Sequence, residues 1–126
     1  MPSPNDIKGD TSEAFFIAKF IQLGWHVSKP FNSHLIYDLI LDRGKGLERV
    51  QVKTGRIERR YIIFNCCDSE QRPYAGRVEL IAVYSPDLQK YYLVDPKEFG
   101  TKGFLRTAEP NQSSGKKCTY AKDYEI

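Results

Sequence analysis

At 126 residues and 40% apolar content the chain has the dimensions of one ordinary globular domain. Its net charge of +3, from 19 Lys and Arg against 16 Asp and Glu, argues for nucleic acid only if the cations gather on one face. No stretch approaches the roughly 18 apolar residues of a membrane span, and Met1-Pro2-Ser3-Pro4-Asn5-Asp6 has no signal-peptide core. A cytoplasmic protein, free of the membrane, is expected.

After a Pro-rich lead, Asp10 and Glu13 stand in a capping-box-like spacing and predict a helix start there. Phe16, Phe20 and Leu23 then recur at helical spacing, and Gly24 suits the left-handed position that ends a helix. The helix is apolar over much of its surface and is expected to pack on a sheet. Residues 25–29 form a short candidate strand stopped by Pro30, and residues 35–41 a second one, apolar enough to be covered on both faces. Its lone carboxylate, Asp38, needs a partner.

A glycine-rich turn at Gly44-Lys45-Gly46 leads to a strand over 48–53, closed by Thr54-Gly55. If Asp42 faces Leu47 across that turn, Asp38 faces Gln51, and Lys53 lies on the same side as Gln51 because strand side chains alternate. Residues 57–60 are a charged stretch. Strands follow at 61–66, 78–84 and 91–94, with a polar, basic loop over 68–77, one helical turn opened by Pro96, and a final strand at 104–107. Residues 111–117 read as a loop, and no internal repeat or composition break divides the chain. The cysteines, two of them adjacent at Cys66 and Cys67, give neither an even disulfide framework nor a C-x-x-C spacing, and read as core thiols in a reducing compartment.

Cross-strand neighbours lie about 4.5–5.5 Å apart at Cβ, so the hairpin gathers a carboxylate, an amide oxygen and an ammonium into one small volume. That is the equipment for phosphodiester hydrolysis, which needs positive charge on the phosphate and an ionised water. Mg2+ or Mn2+ takes hard oxygen ligands, one or two carboxylates with waters and phosphate oxygens. Asp38 supplies one, Lys53 an ammonium for the water or phosphate, and Glu13 a second carboxylate if the helix covers the hairpin. Each has a plainer reading: Glu13 as the capping partner of Asp10, Asp38 as a buried ion-pair member, Gln51 and Lys53 as solvated strand residues.

Glu13 on the leading helix, Asp38 in an apolar strand and Gln51-Val52-Lys53 ending the next strand together resemble the PD-(D/E)XK nucleases, nearest to their intron-encoded homing endonucleases with a Gln-x-Lys motif. The resemblance covers residues 9–55 and, more loosely, 78–96. It implies a restriction-endonuclease-like α+β fold, a mixed sheet of five or six strands carrying the N-terminal helix, as a single domain over 1–126. It also implies that Asp38 binds the metal, Gln51 takes the second ligand position, Glu13 assists and Lys53 acts on water or phosphate, giving a 5′-phosphate product. Tyr37 stands where the family name has Pro, and Gln51 replaces a carboxylate, a poorer ligand that leaves more of the metal's charge to Glu13.

The cations Arg56, Arg59 and Arg60 follow this site, and Gln71, Arg72 and Arg77 mark the next loop. They read as contacts to double-stranded DNA, with a solvated charged surface as the plain alternative. Cutting both strands calls for a homodimer or homotetramer. Homing, Holliday-junction-resolving and restriction roles stay open, as do a non-catalytic DNA-binding module and a structural domain. His26 and His34 are too few and badly spaced for a zinc hydrolase, and no phosphate loop or serine nucleophile motif is present.

Overall fold

The computed structural model describes residues 1–108 and 119–126. Helix α1 spans Pro4–Gln22, longer than its sequence reading at the N-terminal end. Ser3 is the true cap: its Oγ accepts the Asp6 N–H at 3.1 Å while the Asp6 carboxylate accepts the Ser3 N–H at 3.1 Å. Pro4 at the first helical position has no N–H to leave unsatisfied, so the Pro-rich lead opens the helix instead of delaying it. Glu13 therefore lies in the middle of α1, not in its first turn, and Asp10 caps nothing. The other end falls where expected, with Leu23 as cap and Gly24 at φ +81°.

Among the described residues eight strands make two sheets. In the first, β1 (His26–Ser28), β2 (Leu39–Asp42), β3 (Leu47–Thr54), β6 (Leu80–Ser85) and β7 (Lys90–Val94) lie in the order β1-β2-β3-β6-β7. The β3–β6 pair is parallel and the rest antiparallel, so the sheet is mixed. The β2–β3 turn places Gly44 at φ +89° and Gly46 at φ +97°, which only glycine adopts freely, and Asp42 does pair with Leu47. Strand β2 is shorter than the apolar run suggested. Leu39 pairs with Val50, yet the preceding Asp38 N–H also bonds the Val50 carbonyl, at 2.8 Å. Two successive residues addressing one partner is the mark of a bulge, so residues 35–37 leave the ladder and Ile36 and Tyr37 turn into the core.

The second sheet, β4 (Arg56–Glu58), β5 (Tyr61–Asn65) and β8 (Lys102–Arg106), is antiparallel in the order β4-β5-β8. Strand β4 thus takes in the first half of the charged stretch at 57–60, its half-buried Ile57 flanked by exposed Arg56 and Glu58. Gly55 is the joint between the sheets: its N–H bonds the Tyr84 carbonyl at 2.7 Å, and a Cβ there would lie 2.5 Å from Ile62 Cγ2. Pro96–Glu98 is one turn of 3-10 helix capped by Asp95, as its Pro-led spacing indicated, and Ala121–Tyr124 forms the short helix α2. The loop reading of 111–117 and Cys118 lie outside the described residues.

Two apolar cores follow. Phe16 and Phe20 on α1 meet Leu39, Leu41, Val50, Val52, Ala82 and Tyr84 on one face of the mixed sheet. Burying each phenyl contributes about 1.5–3 kcal/mol, and this seals the helix to β3. Ile81 and Val83 point the other way, into a core shared with Ile62, Phe64, Tyr74 and Leu105. Strand β6 is therefore apolar on both faces. No described helix is long and apolar enough to cross a membrane.

Candidate active site

The centre of the site is fixed by one hydrogen bond. Asp38 Oδ2 accepts the Val52 N–H at 2.8 Å, while the Asp38 amide donates to Val50. Asp38 thereby straddles Gln51 and lies against the Gln51–Val52 peptide. The bulge is what makes this possible, since it frees the side chain from the regular alternation and lets it cap the β3 edge.

Because Val50 and Val52 are buried against α1, alternation sends Gln51 and Lys53 to the opposite face, where both are half-buried. The Lys53 ammonium stands 5.1 Å from the Tyr74 ring centroid, a cation–π contact that steadies a long side chain. Glu13 approaches from α1. Its helix is pinned at this level by the buried Ser12, whose Oγ lies 2.7 Å from Thr54 Oγ1 at the end of β3. Glu13 and Asp38 line one hollow of about 310 Å3 together with Asp10, Lys29 and Tyr37. Lys53 opens on a separate cleft of about 610 Å3, and Gln51 lines neither.

Electrostatics tie these groups into one unit. Burial raises the Asp38 carboxyl above the usual carboxylate range, the Val52 N–H opposes that, the nearby Glu13 raises it further, and Lys53 and Lys29 lower it. Lys29 was not signalled by any motif: it follows β1 directly and its ammonium bonds Glu13, which pushes the lysine up against a smaller opposing effect of burial. Only the fold joins residues so far apart in sequence. Cys66, buried and free, is raised to about 11, chiefly by burial, which leaves it a core thiol and no nucleophile.

The Asp38 and Glu13 oxygens share one hollow and suit a hard cation, whereas the Gln51 amide lines neither hollow. Glu13 raises the proton affinity of Asp38 across their shared hollow, a repulsion that a divalent ion would relieve. Among the described residues no group of three or more His, Cys, Asp or Glu is placed to hold a metal. A divalent ion held here would therefore take one or two carboxylates and leave the rest of its shell to water or substrate oxygens.

The cations expected to meet DNA divide into two sets. Arg56, Arg59 and Arg60 are exposed on the β4–β5 hairpin, with Arg59 at the uncommon φ of +57° and Arg56 held loosely by Glu58 at 3.5 Å. Gln71 is exposed at a loop tip with φ +65°. Arg72 and Arg77 instead both bond the Asp68 carboxylate, at 2.9 and 3.0 Å. Backbone bonding from Arg72, with the side-chain bonds adding to it, holds Asp68 well below the usual carboxylate range. These two arginines shape the loop before they are available to a ligand.

Helix, bulged strand and Gln-x-Lys strand thus define a nuclease-like α+β scaffold, and comparison with known proteins gives the family. The sequence profile described as PD-(D/E)XK endonuclease matches residues 5–126, and the chain belongs to that family. Among solved structures the chain is similar to a bacterial homing endonuclease, I-Ssp6803I, at 21% identity and a TM-score of 0.74, covering 99% of this chain and 88% of that one. At that identity the likeness establishes the restriction-endonuclease-like fold. No curated protein sequence matches the chain.

Proposed function

We propose that this chain is a divalent-metal-dependent endonuclease that hydrolyses phosphodiester bonds of double-stranded DNA, acting as one nuclease domain over residues 1–126. The observation that carries the proposal is the Asp38–Val52 hydrogen bond, which sets a half-buried carboxylate against the Gln51–Val52 peptide, one residue before Lys53. A bound Mg2+ or Mn2+ would supply Lewis acidity at the phosphate and a more acidic water. Asp38 would be its charged ligand, Gln51 would offer an amide oxygen, and Glu13 would bind the ion or its water shell. Lys53, standing over the Tyr74 ring, would orient the attacking water or neutralise charge building on the phosphate. Departure of the 3′ oxygen would leave the product with a 5′ phosphate.

Arg56, Arg59 and Arg60 would contact the backbone beside the site, with Gln71, Arg72 and Arg77 on the neighbouring loop. A homodimer or homotetramer would present two sites to the two strands. A homing-type, site-specific role is favoured over a junction-resolving or restriction role by the fold shared with a homing endonuclease across nearly the whole chain. The test is incubation of supercoiled plasmid with Mg2+ or Mn2+, with Asp38→Ala and Lys53→Ala alongside. Wild-type nicking lost in both variants supports the reading. A wild-type protein that binds duplex DNA with a salt slope but cuts nothing would be a binding module instead.

A further inference from the structure

The cleft on which Lys53 opens has a chemistry of its own. It measures about 610 Å3 and is walled by the first turns of α1 (Asn5, Lys8, Gly9), the β3–β4 junction (Lys53 to Arg56), Asn65 and the Pro86–Asp87 turn. Among the described residues three cations from three elements, Lys8, Lys53 and Arg56, face it against one carboxylate, Asp87. Among the described residues neither Lys8 nor Lys53 is in an ion pair within 4.0 Å, and Arg56 has only its 3.5 Å contact with Glu58. The arginines of the 68–77 loop, by contrast, are already bonded to Asp68.

Gly9 is the second, independent observation. It sits inside α1, where glycine is destabilising relative to alanine. Neither usual reason for a helical glycine applies: its φ is not positive, and a Cβ there would meet nothing within 4 Å. What lies in that open space is the cleft. A bare position has a purpose if something bulky must pass close to the helix backbone.

We propose that this cleft, floored by Gly9 and bounded by Lys8, Arg56 and Asn65, is a groove for the sugar-phosphate backbone of one DNA strand flanking the scissile phosphate, with Lys53 joining the groove to the carboxylate hollow. The inference rests on the nuclease reading above and adds Asn5, Lys8, Gly9 and Asn65 to the residues that meet DNA. Lys8 and Arg56 neutralise phosphates, and the Asn5 and Asn65 amides donate to their oxygens. Asp87 also lines the cleft, and a phosphate would be repelled from its carboxylate.

The experiment is fluorescence anisotropy with a labelled mixed-sequence duplex, in EDTA so that no cleavage competes, across about 50–200 mM salt. Gly9→Ala should melt at a higher temperature, since alanine improves helix propensity, yet bind duplex more weakly than the wild type, because its methyl group enters the space the DNA backbone needs. Gly9→Glu should fold but bind about tenfold or more weakly, because it sets a carboxylate against the phosphates. Lys8→Gln should reduce the slope of log affinity against log salt by about 1. Folded Gly9→Glu and Lys8→Gln proteins with wild-type affinity and slope would overturn the groove while leaving plasmid cleavage, and so the nuclease reading, intact. A wild-type protein without salt-dependent DNA binding would overturn both.

Discussion

Asp38→Asn separates function from stability in opposite directions. The amide can still accept the Val52 N–H, now at 2.8 Å from a carboxylate oxygen, so the bulge should persist. What disappears is the charge that holds the ion. If that charge carries about 4 kcal/mol of the transition-state stabilisation a metal provides, the rate falls by about 10^3. Stability should move the other way. Burial and Glu13 raise the Asp38 carboxyl in the folded state, so the folded protein binds more protons than the unfolded chain between the ordinary carboxylate pKa and the raised one. Wild-type stability from this group is complete below the unfolded value of about 3.8 and is lost as pH rises through the folded value. At neutral pH the wild type therefore bears an ionised carboxylate the fold disfavours. Asp38→Asn should be more stable there, by about 0.5–2 kcal/mol, with the advantage shrinking as pH falls towards 4. Plasmid turnover and thermal melting between about pH 4 and 8 read both effects. A variant that retains more than about a tenth of the wild-type rate, or that melts lower at neutral pH, would refute the reasoning.

Three further outcomes follow from the same geometry. Lys53→Met should cut at least about 10^2-fold more slowly while losing only the Tyr74 contact, worth about 0.5–1 kcal/mol, which single-turnover cleavage and melting measure together. Lys29→Met should release Glu13 from its ion pair and tighten Mg2+ binding by up to about fivefold, since an exposed pair is worth about 0.2–1 kcal/mol; titration calorimetry reports it, and weaker binding would contradict it. Gly103→Ala should destabilise by about 1–3 kcal/mol, because the new Cβ would fall 2.0 Å from Phe64 Cζ; denaturant unfolding checks this.

The Gln51-Val52-Lys53 strand, the glycine turn and the apolar helix were legible because each rests on local chemistry: alternation, positive φ, helical spacing. The Asp42–Leu47 register followed from turn length alone. Other features were hidden for definite reasons. The helix start was obscured by two prolines that read as a lead, although Ser3 and Asp6 carry the capping spacing. Strand β4 was masked by charge, since a three-residue strand with one apolar position gives almost no period. The bulge at Asp38 depends on which backbone group its carboxylate finds, and nothing in residues 35–41 announces it. The pairing of β5 with β8 and the bond from Lys29 to Glu13 join segments distant in sequence, which one chain read in order does not disclose. Of the candidate site, residue types and order were readable; that Lys53 opens on a different hollow from Asp38 was not.

The proposed function requires Asp38 and Glu13 to grip one hard cation, with Lys53 reaching the same phosphate from the neighbouring cleft. Mn2+ located by its anomalous scattering in crystals of the full chain with duplex DNA tests that most directly. The account predicts an ion in coordination contact with an Asp38 carboxylate oxygen and a DNA phosphate oxygen, lost in Asp38→Ala. An ion bound elsewhere, with Asp38 touching only the Val52 N–H, would contradict it.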